Sequence, residues 1–235
     1  LAIEHFIVNR PYGCCIDRGS KVTIVSPSSL VDPCTGYFSY YIALIGGFNY
    51  ISREIGELRP YRSYYAFDDR NTHEENLAIY MEDLEKLTSR EGSWTLTILA
   101  ASGALEPAYP TMFHFSAGGA KGDECFEGDN LIVRDMVAYR AFYENLSEEL
   151  KTNFDMDSDH QRYHSVTSSK MFARKFNEGL GCKNNIVLRV AWSACLWDSR
   201  RIAIAQTIAE ALVRHFDAET PKAYLEDLKI KKCGY

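Results

Sequence analysis

DSRRIAIAQTIAEALVRHFDAETPKAYLEDLK, residues 198–229, is the stretch from which the fold can be read. Asp198 or Ser199 can cap a helix, because a short oxygen-bearing side chain accepts a hydrogen bond from an unpaired first-turn amide. Ile202, Ala205, Ile208, Ala209, Leu212, Val213 and Phe216 then recur at helical period and form one apolar face. Arg214 and His215 fall in the last turn, where cations suit the negative end of the helix dipole. Thr220 and Pro221 open a second helix, Pro at a first position where its missing N–H costs nothing. The segment packs; it carries no chemistry.

Working outward, NIVLRVAWSAC (185–195) and MFARKF (171–176) read as strands parted by a turn at Gly179–Gly181. Met136 to Leu150 reads as a helix, and TMFHFS (111–116) and WTLTILA (94–100) as strands. Thr72 and Glu75 form a capping box. The helix it opens, His73 to Ser89, is expected to bury Leu77, Tyr80, Met81, Leu84 and Leu87. KVTIVS (21–26) is a β-branched strand, and PSSLVDPCTG (27–36) a loop. YFSYYIALI (37–45) reads as the next strand, with GGFN (46–49) turning it into YISREI (50–55) as a hairpin. A turn is expected around Pro11 to Gly13. Without regular βαβ alternation, this order predicts an α+β fold. It would be an antiparallel β-sandwich covered by helices, with a C-terminal helical segment, in a single domain over 1–235.

The chain has 235 residues, 46% hydrophobic and 25% charged, the composition of an ordinary globular protein. Such a length needs no metal or disulfide staple to fold. A net charge of −6 argues against a nucleic-acid-binding surface, which wants a basic face. No apolar run reaches membrane-spanning length, and LAIEHFIVNR lacks the pattern of a signal peptide. Seven Cys without a CxxC pair predict a reduced, intracellular setting.

The motifs that could carry chemistry each fail at a named residue. DMDSD places Asp155, Asp157 and Asp159 at alternate positions, a spacing that can collect oxygens around Ca²⁺ or Mg²⁺. An EF-hand would need Gly and Glu where His160 and Val166 stand. His160 and His164 are one helical turn apart, but Gln161 replaces the Glu of a zincin. AGGAKGDE (117–124) has the glycines of a phosphate loop, yet Ala120 and Gly122 flank Lys121 where a Walker A motif needs Gly and Ser/Thr. No GxSxG occurs. Cys14, Cys15, Cys125 and Cys195 could each pair with a distant His, and no local signature selects one. RPYRSYY (59–65) could stack on bases or face another protein.

Contact surface is abundant. Tyr, at 15 residues, is the commonest aromatic and clusters at Tyr37, Tyr40 and Tyr41 and again at Tyr61, Tyr64 and Tyr65. Tyr joins large area to a polar tip and is enriched at interfaces. AEALVRHFDAETPKAYLEDLKI (209–230) resembles the final region of the cypovirus polyhedrins: Leu212, Val213, His215 and Phe216 end one helix, and Ala223, Tyr224, Leu225 and Asp227 follow Pro221. The order FSYYIAL, helix, WTLTILA, then SKMFARKF and NIVLRVAW is also similar. The resemblance implies a non-enzymatic structural protein of the viral occlusion body in the cytoplasm of an infected host cell. It would self-assemble as trimers into a crystal lattice that encases virus particles, contacting no membrane and no specific nucleic-acid sequence. No cofactor is required, and a nucleotide can serve as a lattice ligand. Alkaline dissolution would follow from ionisation of the six clustered tyrosines. The rival reading is a cytosolic enzyme, either a metal-assisted transferase using Asp155, Asp157 and Asp159 or a Cys–His hydrolase.

Overall fold

The computed structural model describes residues 7–27, 29, 33–54, 74–100, 112–118, 131–160, 184–195 and 198–216. Strands β1 (Ile7–Arg10) and β2 (Gly13–Ile16) form a hairpin over the expected turn, and β3 (Val22–Ser26) follows. Helix α1 (Pro33–Gly46) leads to β4 (Asn49–Arg53), and α2 (Glu74–Leu87) to β5 (Trp94–Ala100). Then come β6 (Phe113–Ser116), α3 (Met136–Phe154), β7 (Ser158–His160), β8 (Asn185–Val190), the short α4 (Trp192–Cys195) and α5 (Asp198–Phe216).

The strands make one 8-stranded sheet in the order β1-β2-β4-β3-β5-β8-β6-β7. Its centre, β4-β3-β5-β8, is parallel throughout. The antiparallel pairings are β1 with β2, β2 with β4, and β6 with β8. The mixed α and β content is as expected. The antiparallel sandwich is not: among the described residues there is one sheet, with helices on both faces.

The difference traces to one stretch. YFSYYIALI lies inside helix α1 rather than in a strand. Its Tyr, Phe and Ile favour strands by local propensity, but tertiary burial overrides that preference. Phe38, Ile42 and Ile45 stand at helical spacing and are all buried. Pro33 opens the helix, as proline often does. Gly47, at φ +67, closes it, and the Phe48 amide donates to the Ala43 carbonyl at 2.9 Å. That is a Schellman cap, so the two glycines end a helix instead of turning a hairpin. The hairpin expected between 37–45 and 50–55 is therefore absent. β4 lies parallel to β3, and β3-α1-β4-α2-β5 is the regular alternation the sequence seemed to lack.

One face of the sheet carries Val22, Ile24, Leu96, Ile98, Leu188 and Phe115 into a core shared with α1, α3 and α5. The apolar stripe of α5 is confirmed at Ala205, Ile208, Ala209, Leu212 and Phe216. Phe216 stacks on Trp94 with ring centroids 3.9 Å apart. The part of the second helix that lies in 217–229, and most of the segment resembling polyhedrins, lies outside the described residues.

Helix α2 covers the opposite face over Tyr12, Cys15, Val25 and Ile51 with Tyr80, Leu84 and Leu87. Buried Asp83 of α2 takes two charge-assisted bonds from the hairpin: Arg10 Nη2 to Oδ1 and the Tyr12 hydroxyl to Oδ2, both at 2.7 Å. Burial, then the bond to Asp83, drives the Tyr12 phenol far above its usual range. Burial does the same to Tyr80.

Two predictions follow from this packing. Gly46→Ala, usually favourable in a helix, should instead destabilise by about 1–3 kcal/mol, because the added carbon would overlap the buried Phe48 ring; urea titration reads the sign. For Tyr12, the folded-state pKa lies above the unfolded one, so its share of stability is complete below pH ~10 and is lost as pH rises above that value. Tyr12→Phe should therefore be less stable at pH 7 yet lose less stability between pH 10 and 12, measured by chemical denaturation.

Candidate functional site

In open sheets of this kind, ligands bind outside the carboxyl ends of the parallel strands, where successive connections leave in opposite directions. Here that point is the end of β3. From β3 the chain passes through α1 to β4 on one side, then returns through α2 to β5 on the other. A crevice of about 380 Å³ opens next to it, on the β4 side of β3, lined by Cys14, Ser29, Gly36, Tyr37, Tyr40, Tyr50 and Glu54.

Each lining residue is placed by the fold. Ser26 ends β3, and its hydroxyl lies 2.7 Å from that of Ser29, which also reaches the Ser26 carbonyl at 3.2 Å. Gly36 sits in the first turns of α1, where a Cβ would approach the Ser29 side chain to 3.1 Å. Tyr50 projects from β4, and its hydroxyl donates to the Gly36 carbonyl at 3.4 Å. Its ring meets that of Tyr40 edge-on at 5.6 Å. Glu54 follows β4 directly and accepts from the Ser52 hydroxyl at 2.5 Å. The Glu54 amide donates to the Tyr12 carbonyl at 2.8 Å, which fixes this residue to the β1–β2 hairpin. Gly13, at φ +145, permits the close approach: a Cβ there would lie 2.5 Å from the Ser52 carbonyl oxygen and 2.7 Å from the Glu54 nitrogen. Cys14 stands opposite Ser52 in the ladder. Burial and the Glu54 carboxylate push its thiol up to about 11, so at neutral pH it is a thiol and not a thiolate.

The residues singled out from the sequence fall elsewhere or play other parts. Asp155 is the left-handed cap of α3, its amide bonded to the Leu150 and Lys151 carbonyls. Lys151 Nζ bridges Asp155 at 2.8 Å and Asp157 at 3.1 Å. Asp159 turns away to His114 Nδ1, at 2.8 Å. The three carboxylates thus engage Lys151 and His114 and do not converge, and they lie beside β7, the far edge of the sheet from the crevice. His160 packs edge-on against Tyr139 and Tyr143, while His164 is outside the described residues. Of the cysteines, Cys15 is buried and its thiol is pushed up to about 11. Cys125 is outside the described residues, and Cys195 lies in α4. Residues 119–124 of the glycine-rich loop are likewise not described.

Tyr37 is exposed, with the Arg201 guanidinium 5.5 Å from its ring and 5.7 Å from that of Tyr41. Tyr37 and Tyr40 line the crevice; Tyr61, Tyr64 and Tyr65 fall outside the described residues. Sequence reasoning missed Ser26, Ser29, Gly36, Tyr50 and Glu54. The signal was there in PSSLVDPCTG, a strand-to-helix loop, but it becomes one only when 37–45 is read as helical.

No protein-family model and no curated protein matches the sequence. Among solved structures, a metallo-carboxypeptidase from Burkholderia cenocepacia is similar over 92% of this chain and 67% of its own, with TM-score 0.55 and 11% identity. The product-bound cell shape determinant protein Csd4 from Helicobacter pylori matches 88% of this chain with TM-score 0.49 and 11% identity, and the chain spans 55% of its length. At such identity the first likeness is one of fold. It goes against the occlusion-body reading, which rested on residues 209–230 and the order of elements: the mixed sheet, parallel at its centre, is shared with a metallo-carboxypeptidase and is not the antiparallel sandwich expected. The self-assembling viral matrix protein, with its lattice, its alkaline dissolution and its lack of enzymatic activity, is accordingly set aside.

A metal, which the first neighbour's name implies for that protein, was tested against the donors here. Among the described residues no group of three or more His, Cys, Asp and Glu converges. The crevice offers one carboxylate, Glu54, a protonated thiol, Cys14, and hydroxyls. That set does not fit a tightly held transition-metal ion, which takes imidazole, thiolate or several carboxylates.

Alkylation of Cys14 reads out the crevice electrostatics. With iodoacetamide, its rate should rise only as pH approaches about 11. Glu54→Gln should move that rise to lower pH while leaving Cys15, whose thiol responds to Asp83 and Tyr12 instead, unchanged. Peptide mass spectrometry separates the two.

Proposed function

We propose that the chain is an enzyme acting on peptide-type substrates, a hydrolase whose substrate lies in the crevice at the carboxyl ends of β3 and β4. The observation that carries this reading is the crevice itself: it is concave and aromatic, with a few polar groups, and it lies at the carboxyl-end side of the parallel strands β3 and β4. The likeness of fold to a metallo-carboxypeptidase over most of the chain supports the substrate class.

Within the crevice, parts can be assigned from chemistry. The aromatic wall of Tyr37, Tyr40 and Tyr50 supplies contact area at small entropic cost. Glu54 is the carboxylate within reach of a bound molecule, held by Ser52 in one orientation. A carboxylate so placed can accept a proton from water or from an amine. The Ser29 hydroxyl, which lines the crevice and donates to Ser26, keeps lone pairs that can accept from a substrate N–H. Gly36 leaves the wall open where any side chain would crowd Ser29.

The test is turnover. Purified protein is incubated with a mixed peptide library, once with a chelator and once with added zinc, and shortened products are identified by mass spectrometry. Cleavage is expected in at least one condition. Ser29→Trp, which fills the crevice from a half-buried loop position, should reduce it at least tenfold with an unchanged melting temperature. No product in either condition, or full activity in the filled variant, contradicts the proposal.

A further inference from the structure

We propose that the crevice is a subsite for a positively charged side chain, the ammonium end of a lysine-type residue within a peptide. This rests on the reading that the crevice receives peptides, and it adds what kind of residue enters.

Three observations converge. Three of the seven described lining residues are tyrosines. An aromatic face attracts a cation through its quadrupole, more strongly as water is excluded. The edge-on contact of Tyr40 with Tyr50 holds both rings in place as part of the wall. The charge at the rim is negative: among the described residues that line the crevice, Glu54 is the one that carries a charge. An anionic rim over an aromatic wall complements an ammonium group and disfavours a carboxylate or phosphate.

The surrounding groups agree. Cys14 stays a neutral thiol near pH 7, so it adds no second anion that would demand a divalent ion. Arg18 donates to the Phe48 carbonyl at 2.5 Å. Arg201 already lies over Tyr37 and Tyr41, so within the crevice the aromatic contact to a bound cation falls to Tyr40 and Tyr50. A volume of about 380 Å³ suits one side chain and its backbone; it is too small for a folded partner.

The experiment compares Nα-acetyl-lysine amide with Nα-acetyl-norleucine amide, which has nearly the same aliphatic reach but no charge, by isothermal titration calorimetry. The lysine compound should bind at least tenfold tighter, with an advantage that shrinks as salt rises. Glu54→Gln should remove most of that advantage while leaving the norleucine affinity unchanged. Glu54 is exposed, so the variant is expected to fold, and its melting temperature checks this. Tyr40→Leu should weaken lysine binding more than norleucine binding. Equal affinity for the two compounds, or an unchanged lysine advantage in Glu54→Gln, overturns the inference. Crevice-dependent cleavage of lysine-free peptides with no lysine preference would sink this inference and leave the hydrolase standing. Lysine binding without turnover would do the reverse.

Discussion

Strand β3 pairs in parallel on both sides, and parallel neighbours cannot be joined by a hairpin. Both connections around it must cross a face of the sheet. Helix α1 makes the first crossing on one face and α2 the second on the other, so the carboxyl end of β3 is left between departing chains. The crevice lies beside that end, on the β4 side. Its walls belong to α1, β2 and β4, elements whose own positions are set by burial: Phe38 and Ile42 for α1, Ile51 and Tyr50 for β4.

Rigidity at the site comes from the hairpin side. Asp83 ties Arg10 and Tyr12 to α2. Gly13 lets β2 run close against the end of β4, and the Tyr12 carbonyl takes the Glu54 amide. A carboxylate at a rim is ordinarily free to swing; this one is anchored by its backbone and by Ser52. At the start of the same strand, buried Asn49 accepts from the amides of Arg18 and Ser20 and donates to the carbonyls of Ser20 and Leu87. β4 is thus pinned at both ends by polar bonds made out of water, where they are costly to break.

How much could be read from the chain alone depends on which signal was local. The strands 22–26, 94–100 and 113–116, the helix after the Thr72 capping box and the stripe of α5 were legible, because each carries its own periodicity. The region 37–45 was not, because Tyr, Phe and Ile satisfy strand propensity and helical spacing at once. Only the Gly46–Gly47 pair decided between them, and two glycines fit a hairpin turn as well as a Schellman cap. That single misreading hid the parallel sheet and, with it, the site. Tyr37 and Tyr40 were picked out as contact residues, but their place in a concave wall depends on α1 being a helix. Asp155, Asp157 and Asp159 looked like ligands by spacing; Lys151, one helical turn before Asp155, and His114, from the distant strand β6, engage them instead.

The account stands or falls on where a peptide binds. Chemical-shift mapping of ¹⁵N-labelled protein with a lysine-containing peptide locates it directly. The largest changes should fall on the amides of Cys14, Gly36, Tyr37 and Glu54. Changes centred on 155–160, or none at all at saturating peptide, would contradict a ligand site at the end of β3.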